Sequence, residues 1–84
     1  MGPEIEITIT ATVKPLIKII EVIEKDKETA KLAQLMATSL HDALGSGARF
    51  SREDLALIIA YAKSHDLMMM QQDAESRLRN LVSN

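Results

Sequence analysis

The chain has 84 residues, no cysteine, one tyrosine, one phenylalanine and a formal net charge of −2. This length predicts a single domain, and the lack of cysteine excludes disulfide-stapled modules, thiolate metal sites and cysteine nucleophiles. The hydrophobic fraction of 46% is typical of a folded protein. No apolar run approaches the roughly 18 residues that cross a bilayer, and the acidic start does not resemble a signal peptide. We therefore expect no membrane association and a cytoplasmic location.

An N-terminal strand is the first element that the sequence predicts. Over residues 4–13, apolar and polar residues alternate strictly, as in a half-buried strand. One strand cannot satisfy its own backbone groups, and no second strand is evident in the chain. We therefore expect it to pair with the same strand of another copy, or to join the sheet of a partner protein. The apolar face proposed for this interface consists of Ile5, Ile7, Ile9, Ala11 and Val13.

A long helix is expected to follow the strand. Pro15 suits the first turn of a helix, where its missing N–H costs nothing. An apolar stripe with spacings of three and four then runs to residue 44, with one polar position at Asp26. A continuous helix over residues 15–44 fits this stripe best, and a break near residues 25–28 is the alternative, because this part is entirely charged. Gly45 is well placed as the left-handed residue that ends the helix.

Two shorter helices complete the expected fold. Ser51 is a good N-cap, with acidic residues in the following turn, and it predicts a helix over residues 52–64. The apolar face then rotates, which indicates a break and a last helix over residues 67–82. The predicted fold class is mainly α, with one domain over residues 1–84. It contains the N-terminal strand, paired between chains, followed by the long helix and a helical hairpin.

Residues with catalytic or metal-binding potential are few. The His-Asp dipeptides at residues 41–42 and 65–66 resemble the pairs used by helical metal-dependent phosphohydrolases, but no further ligands are evident. Ser51 and Ser64 lack a histidine and an acid arranged to activate a nucleophile, so capping is the better interpretation. We therefore predict no enzymatic activity, no catalytic residue, no metal site, no cofactor and no small-molecule substrate.

Three consecutive methionines, Met68, Met69 and Met70, predict a contact surface. Three successive residues span about 200° of a helix, so they cannot all face one core. Methionine is adaptable and common at binding surfaces, although one exposed methionine by chance is an equally good account. With the strand, this cluster predicts a non-catalytic interaction module, such as an adaptor, a small chaperone or an assembly component. We expect a homo-oligomer, with a dimer favoured, or a complex with a partner protein.

The order of strand, helix, glycine turn and Ser-capped helix over residues 4–62 resembles the ribbon–helix–helix DNA-binding regulators. In that family two chains pair their strands and insert the ribbon into the major groove. The resemblance implies a dimeric transcription regulator whose base contacts come from Thr8, Thr10 and Thr12. Two glutamates begin the same strand face, and neither half of the chain is a basic patch, which argues against nucleic acid. This regulator is the alternative to the interaction module.

Overall fold

The structure, a computed structural model, describes the backbone of residues 2–83 and the side chains of residues 13–81. All regular secondary structure in that part is helical. The helices are α1 (Gly2–Ile23), α2 (Ala30–Gly45), α3 (Arg52–Ser64) and α4 (Met68–Ser83). Helix α3 packs most extensively on α4, α1 contacts α2 and α3, and α2 contacts α4. None of these helices combines the length and the apolar character that a bilayer-spanning segment requires.

One small core joins the four helices. Ile20 of α1 and Ile58 of α3 are fully buried in it, and burial of such a side chain contributes roughly 1.5–3 kcal/mol. Aliphatic residues and alanines dominate this core. The buried residues are Val13, Ile17, Ile20, Ala33, Leu40, Leu44, Phe50, Leu55, Ile58, Tyr61, Ala62, Met70 and Ala74.

The strand predicted over residues 4–13 is wrong, because these residues lie in α1. Strict alternation also places apolar residues four apart, and a helix shares that spacing. Val13 is buried, and Ile17 and Ile20 continue its face at spacings of four and three. A helix satisfies its own backbone groups, whereas a single strand needs a partner. The pairing of strands between chains therefore loses its basis.

The ribbon–helix–helix architecture is wrong for the same reason, since paired strands are the part of that fold that reads DNA. The backbone at the positions proposed for strand pairing or base contact is helical. The side chains at most of these positions lie outside the described ones; they belong to Ile5, Ile7, Thr8, Ile9, Thr10, Ala11 and Thr12.

The continuous helix expected over residues 15–44 is interrupted by a turn at residues 24–29. A straight helix of that length would extend about 45 Å, which is too long for one small core to cover. Reversing the chain within its charged stretch places Ile20 and Ala33 in the same core. Pro15, expected in a first turn, instead lies inside α1, where the missing N–H and the ring cost about 3 kcal/mol.

Side chains close the turn between α1 and α2. The Thr29 hydroxyl donates to the carbonyl of Ile23 over 2.6 Å, which satisfies a group at the end of α1. The Asp26 carboxylate accepts from the Glu28 N–H at 3.0 Å. Asp26 therefore stabilises the turn, and the residue that directly precedes α2 is Thr29.

The turn between α2 and α3 contains a left-handed glycine, but it is Gly47, with φ of 87°, and not Gly45. Gly45 is the last residue of α2. The Ala48 N–H returns to the carbonyl of Ala43 at 3.1 Å, which is the long bond of a Schellman motif.

Arg77 of α4 holds the end of α2 in place. Its guanidinium donates to the carbonyl of Leu44 at 2.7 Å and to the carbonyl of Ala48. The same group lies 5.9 Å from the ring centre of Phe50. A cation is well placed there, because the carbonyls at the C-terminus of a helix carry partial negative charge.

Helix α3 begins and ends at recognisable caps. The Ser51 hydroxyl accepts from the Asp54 N–H at 3.1 Å, and the Asp54 carboxylate accepts from the Ser51 N–H, which forms a capping box. The helix ends at another Schellman motif, in which Asp66 has φ of 55° and the Leu67 N–H bonds to the carbonyl of Ala62. The expected break therefore lies at Asp66.

We predict that Ser51→Ala lowers the free energy of unfolding by about 1 kcal/mol, because the N-terminus of α3 loses its side-chain acceptor. Thermal denaturation followed by circular dichroism should show a melting temperature lower by roughly 4–8 °C. Ser39→Ala is the matched control, since Ser39 is exposed within α2, and its effect should stay within about 0.5 kcal/mol. Equal losses in both variants would contradict the assigned cap.

Candidate functional site

A groove runs along α2, opposite the turn that joins α3 to α4. It consists of two adjoining depressions, of about 350 Å³ and about 310 Å³, that share Gln34, Ala37 and Leu67. His65 lies in the first depression and His41 in the second. Both histidines of the chain therefore border one feature, which we call the α2 groove.

The geometry around His65 brings three segments together. Its Nε2 lies 2.7 Å from a carboxylate oxygen of Glu24, in the turn that follows α1. Its Nδ1 lies 2.9 Å from the carbonyl of Tyr61 and 2.8 Å from the hydroxyl of Ser64. The imidazole also stacks on the Tyr61 ring, with ring centres 4.2 Å apart. His65 thus links the end of α1 to the C-terminus of α3.

These contacts constrain the protons on the ring. The Glu24 carboxylate can only accept, so the Nε2 of His65 donates to it. The Nδ1 can donate to the carbonyl of Tyr61 when the ring is protonated, or accept from the Ser64 hydroxyl when the ring is neutral. The hydrogen bond to Glu24 raises the pKa of His65 above its usual value, while burial opposes the shift. The pKa of Tyr61 is also raised, by burial and then by the nearby charges of Glu24 and Glu21.

Ser64, His65 and Glu24 form a chain of hydrogen bonds that superficially matches a nucleophile, a base and an acid. The Ser64 hydroxyl donates to the carbonyl of Tyr61 at 2.9 Å, three residues earlier in its own helix, which is a common local bond of a serine at a helix end. The N–H groups next in the chain, from residues 65 to 67, are bonded to carbonyls of α3 and offer no oxyanion site. The arrangement has the geometry of a helix cap.

His41 is part of a second cross-helix pair. Its Nε2 lies 2.7 Å from a carboxylate oxygen of Asp73, which connects α2 to α4. The side chains of the two residues are 32% and 52% exposed, so water screens this pair more than the one at His65. Among residues 13–81, no three His, Cys, Asp or Glu side chains converge in a way that could hold a metal ion.

The three methionines separate into two classes. Met68 and Met69 are 62% and 71% exposed, whereas Met70 is buried in the core at 3%. Met69 lines the groove beside His41. The predicted contact surface therefore has two of its three methionines available to a partner, and the third supports the fold.

Further apolar side chains that sequence analysis did not assign to an interface are exposed on α1 and α2. Ile19 and Val22 are 50% and 68% exposed, and with Lys18 and Ile23 they line an open depression of about 350 Å³. Leu32 and Leu35 are exposed on α2. All four residues lie within residues 15–44, for which the sequence predicts one continuous helix. In the structure this stretch forms two helices, and these four side chains point away from the shared core.

The structure thus separates the residues that sequence analysis selected. Val13 is in the core, and Met68 and Met69 lie at the surface. The link between Glu24 and His65 joins residues 41 positions apart, and no local pattern indicates it.

Comparison with known proteins identifies no relative, because no family model, no curated protein and no solved structure matches this chain significantly.

We predict that dilute hydrogen peroxide oxidises Met68 and Met69 in the folded protein at least about tenfold faster than Met70, because exposure controls access to the sulfur. Peptide mass spectrometry over time measures the three rates. Unfolding in denaturant supplies the control and should make the rates similar. Equal rates in the folded protein would show that the start of α4 is not packed as described.

Proposed function

We propose that this chain is a non-catalytic protein–protein interaction module that self-associates through a helical surface. The observation that supports this proposal is the exposure of large apolar side chains on three helices. They are 44–71% exposed and comprise Ile19, Val22, Leu32, Leu35, Met68, Met69 and Leu81.

The strongest support for an interface comes from the two exposed residues on α1, because they are neighbours. Single exposed apolar residues are normal on any protein, whereas contiguous ones indicate a contact. Ile19 and Val22 are three residues apart, so they are neighbours on one helical face, and they line one depression together with Ile23. A flat apolar face of this kind suits helix-on-helix packing with another chain.

Catalysis has less support in the geometry. The polar groups around His65 are already engaged in capping α3 and in the pair with Glu24. The acidic balance of the chain does not favour binding to phosphate backbones. An adaptor, a small chaperone or an assembly component remains the class of function that an exposed apolar helical face serves best.

We predict that the mass measured by light scattering rises toward twice the 9.3 kDa of one chain over roughly three decades of increasing concentration. Val22→Lys places a charge on the exposed face of α1 and should keep the protein at the mass of one chain. Leu35→Lys tests the face of α2 in the same way.

Ala60→Lys is the matched control, because Ala60 is exposed on α3 and the same charge is added away from these faces. This variant should associate like the unmodified chain. A mass of one chain at every concentration would refute self-association, and loss of association in the Ala60 variant would refute the assigned surface.

A further inference from the structure

His41 has one ring nitrogen that is engaged and one that is not. Its Nε2 lies 2.7 Å from a carboxylate oxygen of Asp73, and an ionised carboxylate only accepts, so Nε2 carries a proton. In the neutral ring Nδ1 then presents a lone pair, and within residues 13–81 no group bonds to it. At His65, by contrast, Glu24 contacts Nε2 and the end of α3 contacts Nδ1. His41 is therefore the histidine with an available donor atom.

The packing of α4 beside α2 brings two thioether side chains to this ring. Asp73 follows Met69 by four residues and Met70 by three, so the three side chains are neighbours on one face of α4, within about 6 Å along its axis. Side chains of a helix lean toward its N-terminus, so Asp73 holds the His41 ring over the turn that contains both methionines. His41, Met69 and Met70 accordingly line one depression of about 310 Å³.

The two methionines differ in how they border this depression. Met70 is 3% exposed and is fixed by the core, so it forms a buried wall. Met69 is 71% exposed, and its unbranched side chain has three rotatable bonds with which to adjust to a ligand. The depression therefore has a rigid inner side and an adaptable outer side, with the His41 ring between α2 and α4.

This set of donors suits a soft metal ion. Thioether sulfur selects Cu(I), and imidazole nitrogen also binds copper, whereas Mg²⁺ and Ca²⁺ prefer oxygen ligands. A carboxylate that accepts from the remote ring N–H is the usual support of a metal-binding histidine, because it fixes the ring and its tautomer. The bond between His41 and Asp73 has this arrangement before any metal is bound.

We propose that the Nδ1 of His41 and the sulfur atoms of Met69 and Met70 bind one Cu(I) ion between α2 and α4, with Asp73 as a positioning residue. The site lies within one chain and does not depend on self-association. Sequence analysis predicts no metal site, because His41 and the methionines are far apart in the chain and only the packing of α4 brings them together.

Anaerobic titration of the full-length chain with the acetonitrile complex of Cu(I) tests the proposal. Cu(I) is diamagnetic, so the NMR signals of the methionine methyl groups remain visible throughout. We expect the signals of Met69 and Met70 to shift and to saturate near one Cu(I) per chain, while those of Met36 and Met68 stay in place. Shifts that do not saturate near one equivalent, or that are confined to other methionines, would overturn the proposal.

Matched variants identify the ligands through competition with a chromophoric Cu(I) chelator. Met69→Leu removes a sulfur with little change in volume and should lower the affinity at least about tenfold. Met68→Leu is its control, since Met68 is similarly exposed but does not line this depression, and it should bind as the unmodified chain does. His41→Gln should lose affinity and His65→Gln should keep it. Equal effects within either pair would contradict the assigned ligands.

The role of Asp73 is tested separately, because it acts through the His41 ring. Asp73→Ala should lower the affinity for Cu(I) about 10-fold to 100-fold and leave the stoichiometry unchanged. Asp73→Asn should restore most of the affinity, since its amide oxygen can still accept from Nε2. Failure of Asp73→Asn to restore binding, in a variant with the helical circular dichroism of the unmodified chain, would refute the positioning role. If a variant does not fold, the methyl shifts in the unmodified chain still decide whether the site exists.

Discussion

Helix ends are where this small fold is held together, because each end leaves up to four backbone groups without a partner inside the helix. In a chain of four helices those groups are a large share of the backbone. Thr29 satisfies a carbonyl at the end of α1, Arg77 binds carbonyls at and beyond the end of α2, and His65 and Ser64 bind the carbonyl of Tyr61 near the end of α3. The core supplies the driving force for folding, and these bonds fix how the helices follow one another.

Helix ends that are defined by a short local motif can be predicted from the sequence. Ser51 and the acids after it predict the start of α3, and the structure shows the complete capping box with Asp54. The position of the break before α4 also follows from the rotation of the apolar face. At the end of α2, by contrast, Gly47 takes the left-handed conformation in place of Gly45, because two nearby glycines can both adopt it.

The N-terminal half shows why periodicity alone was insufficient. Apolar residues that alternate with every second position also recur at every fourth position. Ile5, Ile9 and Val13 therefore fit either a strand or a helix. Similarly, a stripe with spacings of three and four fits one long helix or two helices that reverse at charged residues. The size of the core decides between these alternatives, and that size depends on contacts between distant residues. The bond between His65 and Glu24 could not be predicted for the same reason.

Arg77 has a consequence for how the chain folds. It connects α4 to backbone groups 29 and 33 positions earlier, at the junction that follows α2. The C-terminus of α2 is therefore completed only when the last helix has docked, so a stable fragment that ends before α4 is not expected. Closing such a long loop makes folding slower than purely local contacts would allow. Arg77 therefore couples the unfolding of α4 to that of the end of α2, and we expect these two helices to melt together.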